Sequence, residues 1–225
     1  MEKWRKVAVI LSGCGVADGT EIMEATSLFF SLHKHKVAFQ CYAPDKSMHH
    51  VINHMTGNVL TDKRNVLIES ARICRGNIKS IATLTIDDYD GLVMPGGFGV
   101  AKNLSNYAIA GQNFVIDPSV ETIIKGFYKR NKPIGACCIS PILLAKTIKN
   151  VKITLGSKGE NFPYADAIEH ATAFGAMHEI MDVGDVCIDE ENMVVTTPAF
   201  MKEALDYYSI YKGNDKLIEE LLKLM

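Results

Sequence analysis

The stretch Lys132-Pro133-Ile134-Gly135-Ala136-Cys137-Cys138-Ile139-Ser140-Pro141 holds the residues best suited to covalent chemistry. A short β-type run passes straight into a helix, with almost no loop. Pro141 suits the first helical turn, where its missing N–H costs nothing. This is the pattern of a nucleophile elbow, although the sequence G-x-S-x-G itself is absent. A side chain at such an elbow sits at a helix N-terminus, whose positive dipole end favours a thiolate and lowers its pKa. Alternation along a strand sends Cys137 and Cys138 to opposite sides. Cys138, nearest the helix start, is therefore assigned to the elbow and Cys137 to packing. The next backbone N–H, that of Ile139, is placed to stabilise an oxyanion.

Two further segments could serve the same thiol. Pro95-Gly96-Gly97-Phe98-Gly99 follows an apolar run, and successive glycines let N–H groups converge on an anion. Gly96 and Gly97 are thus candidates for the other half of an oxyanion hole. Glu21 and Glu24 are three residues apart on one side of a helix. Near a helix N-terminus such acids ordinarily face solvent and stabilise the helix. Facing a cleft, one of them could be a protonated partner for a thiolate.

Other motifs carry less. Ser12–Gly19 resembles a dinucleotide fingerprint, but its spacing is G-x-G-x-x-x-G and no acidic residue ends a second strand about 20 residues on. A tight turn with backbone freedom is the plainer reading. His50 and His54 are spaced i, i+4, yet no third ligand is evident and a loop is preferred to a metal site. His170 and His178 are not followed by an acid two residues on, so a complete glutaminase-type triad is not expected. The six cysteines, Cys14, Cys41, Cys74, Cys137, Cys138 and Cys187, form no C-x-x-C pair. Disulfides and zinc are not expected, and most should be small buried hydrophobes.

The elements that must position these residues alternate. Lys6–Ser12, Lys36–Ala43, Asp90–Met94 and Pro133–Cys137 read as strands, the first apolar enough to be buried on both faces. Val151–Leu155 reads as a further strand, and Asp185–Ile188 with Met193–Thr196 as a strand pair. Helical spacing marks Glu21–His35, Asn65–Arg75, Val120–Tyr128, Pro141–Ile148, Ala165–His170, Phe200–Tyr208 and Asp215–Met225. In Asn65–Arg75 the inward residues would be Leu67, Ile68, Ala71 and Cys74. Residues 46–61 are polar and loop-like. The C-terminal stripe Leu217, Leu221, Leu224 should be core packing. Strand–helix alternation predicts an α/β fold, a mostly parallel sheet with helices on both faces, as one domain over 1–225. Ligands of such folds bind beyond the carboxyl ends of the strands, which selects the loops 12–20, 95–103 and 137–141.

Composition bounds the alternatives. With 48% hydrophobic and 22% charged residues, 225 residues can bury a sizeable core. A net charge of −2 gives no electrostatic case for nucleic acid or an anionic membrane. The apolar run Val7–Leu11 is too short for a signal h-region or a membrane span. A soluble, non-exported, cytoplasmic protein is expected, with neither nucleic acid nor membrane as partner.

The chain also resembles the ElbB family, named for enhancing lycopene biosynthesis, within the PfpI superfamily of class-I glutamine-amidotransferase-like proteins. The likeness rests on VAVILSGCGVADGTEIMEA at 7–25, HVINHMTG at 50–57, RNVLIESARICRGNI at 64–78, GLVMPGGFGVAKNLS at 91–105, KPIGACCISPILLAK at 132–146 and VVTTPAFM at 194–201. It implies a flavodoxin-like three-layer sandwich, a homodimer, Cys138 as elbow cysteine, and an acidic partner that Glu24 matches best, with Glu21 close behind. It implies a glyoxalase that acts without glutathione, turning glyoxal or a similar small dicarbonyl into glycolate, with protein deglycation a related role. No cofactor is expected, because the redox change is internal to the substrate, and no metal. Redox-sensing and chaperone-like members imply the alternative, a non-enzyme that uses the same cysteine. A histidine that some members carry shortly after the nucleophile has no counterpart at Thr154-Leu155-Gly156.

Overall fold

The computed structural model describes residues 5–203 and 206–225. The chain opens with β1 (Lys6–Ile10), α1 (Ile22–Lys34), β2 (Ala38–Ala43), α2 (Val66–Ile73) and β3 (Ile78–Ser80). It continues through β4 (Gly91–Met94), the short helices α3 (Phe98–Lys102) and α4 (Tyr107–Ala110), then α5 (Pro118–Lys129), β5 (Ile134–Cys137) and α6 (Pro141–Thr147). The last part holds β6 (Lys152–Ile153), α7 (Asp166–Ala173), β7 (Met177–His178), β8 (Cys187–Asp189), β9 (Val194–Thr197) and α8 (Tyr207–Leu224).

Seven strands form one sheet in the order β3-β2-β1-β4-β5-β9-β8, parallel except that β8 runs against β9. This is the expected mostly parallel α/β sheet. Helices cover both faces, so Val7, Ala8, Val9, Leu92, Val93 and Ile134 are wholly buried and the inner strands read as unbroken apolar runs. From β1 the chain builds outward to β2 and β3, then crosses back to β4 and β5. Strand order therefore reverses between β1 and β4, and the crevice at their carboxyl ends is where such sheets bind ligands. The loops after β1, β4 and β5 all open there.

Several local expectations change. In α2 the buried residues are Val66, Glu69 and Ser70, while Ile68 is 66% exposed. The polar residues turn inward because they are employed: Ser70 Oγ accepts the Gly13 N–H at 2.8 Å, and Glu69 pairs with Arg64 and Arg72. The strand expected at Val151–Leu155 shrinks to β6, which leaves the main sheet and pairs with the unforeseen β7. At the C-terminus, Ala199–Met201 forms only a 3₁₀ turn, and one helix runs from Tyr207 to Leu224. Residues 204–205 of the expected helix Phe200–Tyr208 lie outside the described residues. Asp206 sets the start of α8 by accepting from the N–H groups of Tyr208 and Ser209. Gly213 sits inside α8 against Thr197 Oγ1 and Gly184, at distances that leave no room for a Cβ. Leu217 and Leu221 are wholly buried, as the apolar stripe implied.

Candidate active site

Cys138 stands directly after β5 with φ +57°, a left-handed conformation that costs a non-glycine residue about 1–2 kcal/mol. Its surroundings hold it there. Its N–H still donates to Thr197 O of β9 at 3.1 Å. Ser140 N–H closes the turn on Cys137 O at 3.1 Å, and Ser140 Oγ, wholly buried, donates to Pro95 O at 2.6 Å. Pro141 then opens α6. The elbow is thus tied both to its neighbour strand and to the loop after β4.

Gly96 and Gly97 pack against it. A Cβ on Gly96 would lie 2.4 Å from Cys138 Cβ, 2.8 Å from its Sγ and 2.8 Å from Glu24 Oε2. Only glycine lets the β4 loop come this close. Gly97 has φ +97°, and a Cβ there would meet Gly19 O and Glu21 N at 2.4 Å. The N–H groups of Gly97 and Ile139 are directed at the Cys138 sulfur. The Gly96 N–H, expected beside them, instead donates to Glu24 Oε2 at 2.8 Å. It is therefore committed to the carboxylate and is no free donor for an oxyanion.

Glu24 is wholly buried behind the thiol. Oε1 accepts from Phe200 N–H at 3.2 Å, Oε2 accepts from Gly96 N–H, and the Cys138 thiol lies beside the same carboxyl and acts to lower its pKa. Burial, with the Glu21 charge adding to it, raises the Glu24 pKa to about 7; the two N–H groups and Cys138 oppose the shift. Glu21 has a different position. It caps α1, with Oε2 accepting the Glu24 N–H at 2.6 Å and its own N–H donating to Gly96 O at 3.0 Å. Glu21 thus fixes the start of the helix and the glycine loop, while Glu24 meets the sulfur.

Cys137 is fully buried in the core, as expected of a packing residue, and its thiol also donates to Glu24 Oε2 at 3.6 Å. The left-handed turn at Cys138 breaks strand alternation, so both sulfurs reach one carboxylate. Burial first, and then the Glu24 charge, push both thiols well above the ordinary cysteine range. For Cys138 the N–H groups of Gly97 and Ile139 pull the other way. Cys138 and Glu24 titrate as a coupled pair: the first proton leaves near pH 7 and the Glu24 charge then holds the second on the thiol well above the ordinary cysteine range.

Cys138 lies at the wall of a cavity of about 420 Å³. Phe98 and Tyr164, ring centroids 5.8 Å apart, line one side. Tyr107 and His170 line another, with the Tyr107 hydroxyl 2.9 Å from His170 Nδ1 and Asp166 nearby. Burial raises the Tyr107 pKa. Nothing in the sequence links Tyr107 to His170, 63 residues apart; only the tertiary fold does. Phe98 was within reach of sequence reasoning, since it follows the glycine pair.

Of the remaining motifs, the 12–20 loop lends Val16 to the wall of this chamber. In the 12–20 loop the N–H groups of Ser12, Gly13, Gly15 and Gly19 bond Thr20 Oγ1, Ser70 Oγ, Thr20 O and Gly15 O. They are used within the protein, as a tight turn requires, and form no phosphate cradle. His50 and His54 lie on a loop, where His54 Nε2 accepts the Ala17 N–H at 3.2 Å. His178 Nε2 accepts the Leu155 N–H at 3.1 Å. Among the described residues no group of three or more His, Cys, Asp or Glu could hold a metal ion, and no helix is long and apolar enough to cross a membrane.

Known proteins share this architecture. Glutamine amidotransferase-like class 1 domain-containing protein 3, mitochondrial, of Homo sapiens is 43% identical over 223 residues, 97% of this chain and 83% of that protein. The mitochondrial ES1 protein of Danio rerio is 30% identical over 97% of this chain and 85% of its own length. Their mitochondrial designation belongs to those proteins and does not agree with the cytoplasmic expectation for this one. An isoprenoid biosynthesis protein with an amidotransferase-like domain from Ehrlichia chaffeensis superposes with a TM-score of 0.89 at 34% identity, over 98% of this chain and 99% of its own. A glyoxalase III from Candida albicans, 15% identical, matches the fold with a TM-score of 0.62 over 98% and 97% of the two chains. The DJ-1/PfpI family model matches residues 6–196, across the sheet, the glycine loop and the elbow alike, and the chain belongs to the DJ-1/PfpI family.

Proposed function

We propose that the protein is a cofactor-independent glyoxalase of the ElbB type, converting glyoxal or a similar small dicarbonyl into the hydroxy acid. The observation that carries this reading is the Cys138–Glu24 pair, set beside a cavity with the Gly97 and Ile139 N–H groups aimed at the sulfur. The fold is one it shares with a glyoxalase III.

Cys138 attacks one aldehyde carbon as a thiolate, its proton resting on Glu24. The new alkoxide is held by the N–H groups of Gly97 and Ile139 and takes a proton to become a hemithioacetal. Glu24, a carboxylate again, removes the proton on the attacked carbon, and the electron pair moves to give an enediol. A proton returned to the neighbouring carbon yields a thioester of the hydroxy acid. Water cleaves the C–S bond, releasing glycolate and the thiol. The first carbon is oxidised and the second reduced, so no external electron carrier is consumed. Glu21 positions Glu24 through the helix cap, and His170 with Tyr107 faces the substrate across the cavity.

Conversion of glyoxal to glycolate, without glutathione or added metal, is expected from wild-type protein and absent from Cys138→Ser. Equal turnover in the folded variant would refute the reading. A second reading, peroxide sensing at Cys138, draws on the same hydrogen-bond donors, which could hold the oxygens of a sulfinate. It predicts two oxygens added at Cys138 by mild peroxide and no glycolate.

A further inference from the structure

Cys41 and Cys74 lie away from the active-site cavity. Cys41 is in β2, 1% exposed, in register with Val9 of β1 and Ile78 of β3. Cys74 ends α2 and is partly exposed. The chain reverses immediately after it: Arg75 and Gly76 take φ values of +55° and +81°, Gly76 N–H bonds Ala71 O, and Asn77 N–H bonds Cys74 O. It then enters β3 at Ile78, the register partner of Cys41. This tight return lays the end of α2 over β2 and sets the two thiols side by side, each acting on the other's titration.

The contact makes the sulfurs unequal. Cys41 holds the Cys74 thiol below the ordinary cysteine range, against the effect of burial. Cys74, with burial added, raises Cys41. The partly exposed Cys74 sulfur can meet an oxidant, and the buried Cys41 thiol waits beside it. Attack on an oxidant and resolution by a neighbour need this arrangement.

We propose that Cys41 and Cys74 are a peroxide-driven disulfide site, distinct from Cys138, that locks the end of α2 onto β2. Cys74 gives its proton to water, and the thiolate attacks the peroxide: an S–O bond forms, the O–O bond breaks, and the departing oxygen takes a proton back from water. Cys74 is then a sulfenic acid. The Cys41 sulfur attacks it: the S–S bond forms, the S–O bond breaks, and hydroxide leaves with the Cys41 proton as water. Two thiols and one peroxide give one disulfide and two molecules of water, or one of water and one of alcohol from an alkyl peroxide.

The test is peptide mapping of the full chain under non-reducing conditions after treatment with one equivalent of hydrogen peroxide. Mapping by peptide counts any oxidation at Cys138 separately. The expected result is a Cys41–Cys74 crosslinked peptide pair lighter by two hydrogens, reversed by dithiothreitol and lost in Cys74→Ser. Differential alkylation of the wild-type protein gives an answer without a variant: both cysteines become protected together. Cys74 carrying added oxygen while Cys41 stays freely alkylatable after denaturation would overturn the proposal, as would neither residue reacting.

Discussion

Cys137 and Cys138 are adjacent, both buried, and both directed at Glu24, yet only Cys138 faces the cavity and the N–H groups of Gly97 and Ile139. The two should therefore separate in function. Cys137→Ala is expected to keep glycolate formation while lowering stability by about 1 kcal/mol, the loss of one small buried group. Activity assays beside urea unfolding check this. Loss of activity as complete as in Cys138→Ser would contradict it. Alternation placed Cys137 and Cys138 on opposite sides, yet both meet Glu24, because alternation assumes extended φ and Cys138 has φ +57°. The choice between Glu21 and Glu24 was equally hidden. It depends on glutamate acting as an N-cap, a place where shorter polar side chains are the usual signal.

Among the elements, the strand-end loops were the most legible part of the site. Gly96-Gly97 after β4 and Cys138 after β5 follow strands so short and apolar that little else could position them. What the sequence could not show is how closely the loops approach one another. Gly96→Ala would drive a methyl group to within 2.4 Å of Cys138 Cβ and 2.8 Å of both Sγ and Glu24 Oε2. Backbone or elbow must shift, at a cost of about 1–3 kcal/mol by analogy with overpacked cores. Glycolate formation should fall at least 100-fold, with the fold retained by circular dichroism. Unchanged kinetics would show the loop to be less constrained than its geometry implies. The α2 helix teaches the opposite lesson. Its apolar periodicity pointed to Ile68, but Ser70 and Glu69 take the inward face because the 12–20 loop and Arg64 need their polar groups. Periodicity sees hydrophobic burial and misses buried polar service.

For the whole molecule, the alternation of strands and helices was enough to give the sheet, since parallel strands need crossovers and crossovers bury both sheet faces. The pairing of β6 with β7 and the join of Tyr107 to His170 depended on long-range packing and left no local trace. Global stability also carries the mark of the site. Glu24 holds its proton more tightly in the folded protein than in the unfolded chain, where a glutamate titrates near 4.5. The resulting stabilisation is complete below that value and is lost as pH rises to about 7. It amounts to about 3 kcal/mol. Unfolding of wild type and Glu24→Gln at pH 4.5 and pH 8 should show the gap between them changing by roughly this amount in the variant's favour at pH 8. Parallel pH dependence in the two proteins would mean that Glu24 titrates normally.

The proton shared by Cys138 and Glu24 can be followed through the rate at which iodoacetamide modifies Cys138, read by peptide mass spectrometry from pH 5 to 10. In wild type the rate should rise near pH 7, as the pair loses its first proton, level off, and rise again only at strongly alkaline pH. In Glu24→Gln the step near pH 7 should be gone, leaving a single thiol titration. Superimposable profiles for the two proteins would contradict the pairing of Cys138 with Glu24, and with it the mechanism built on that pair.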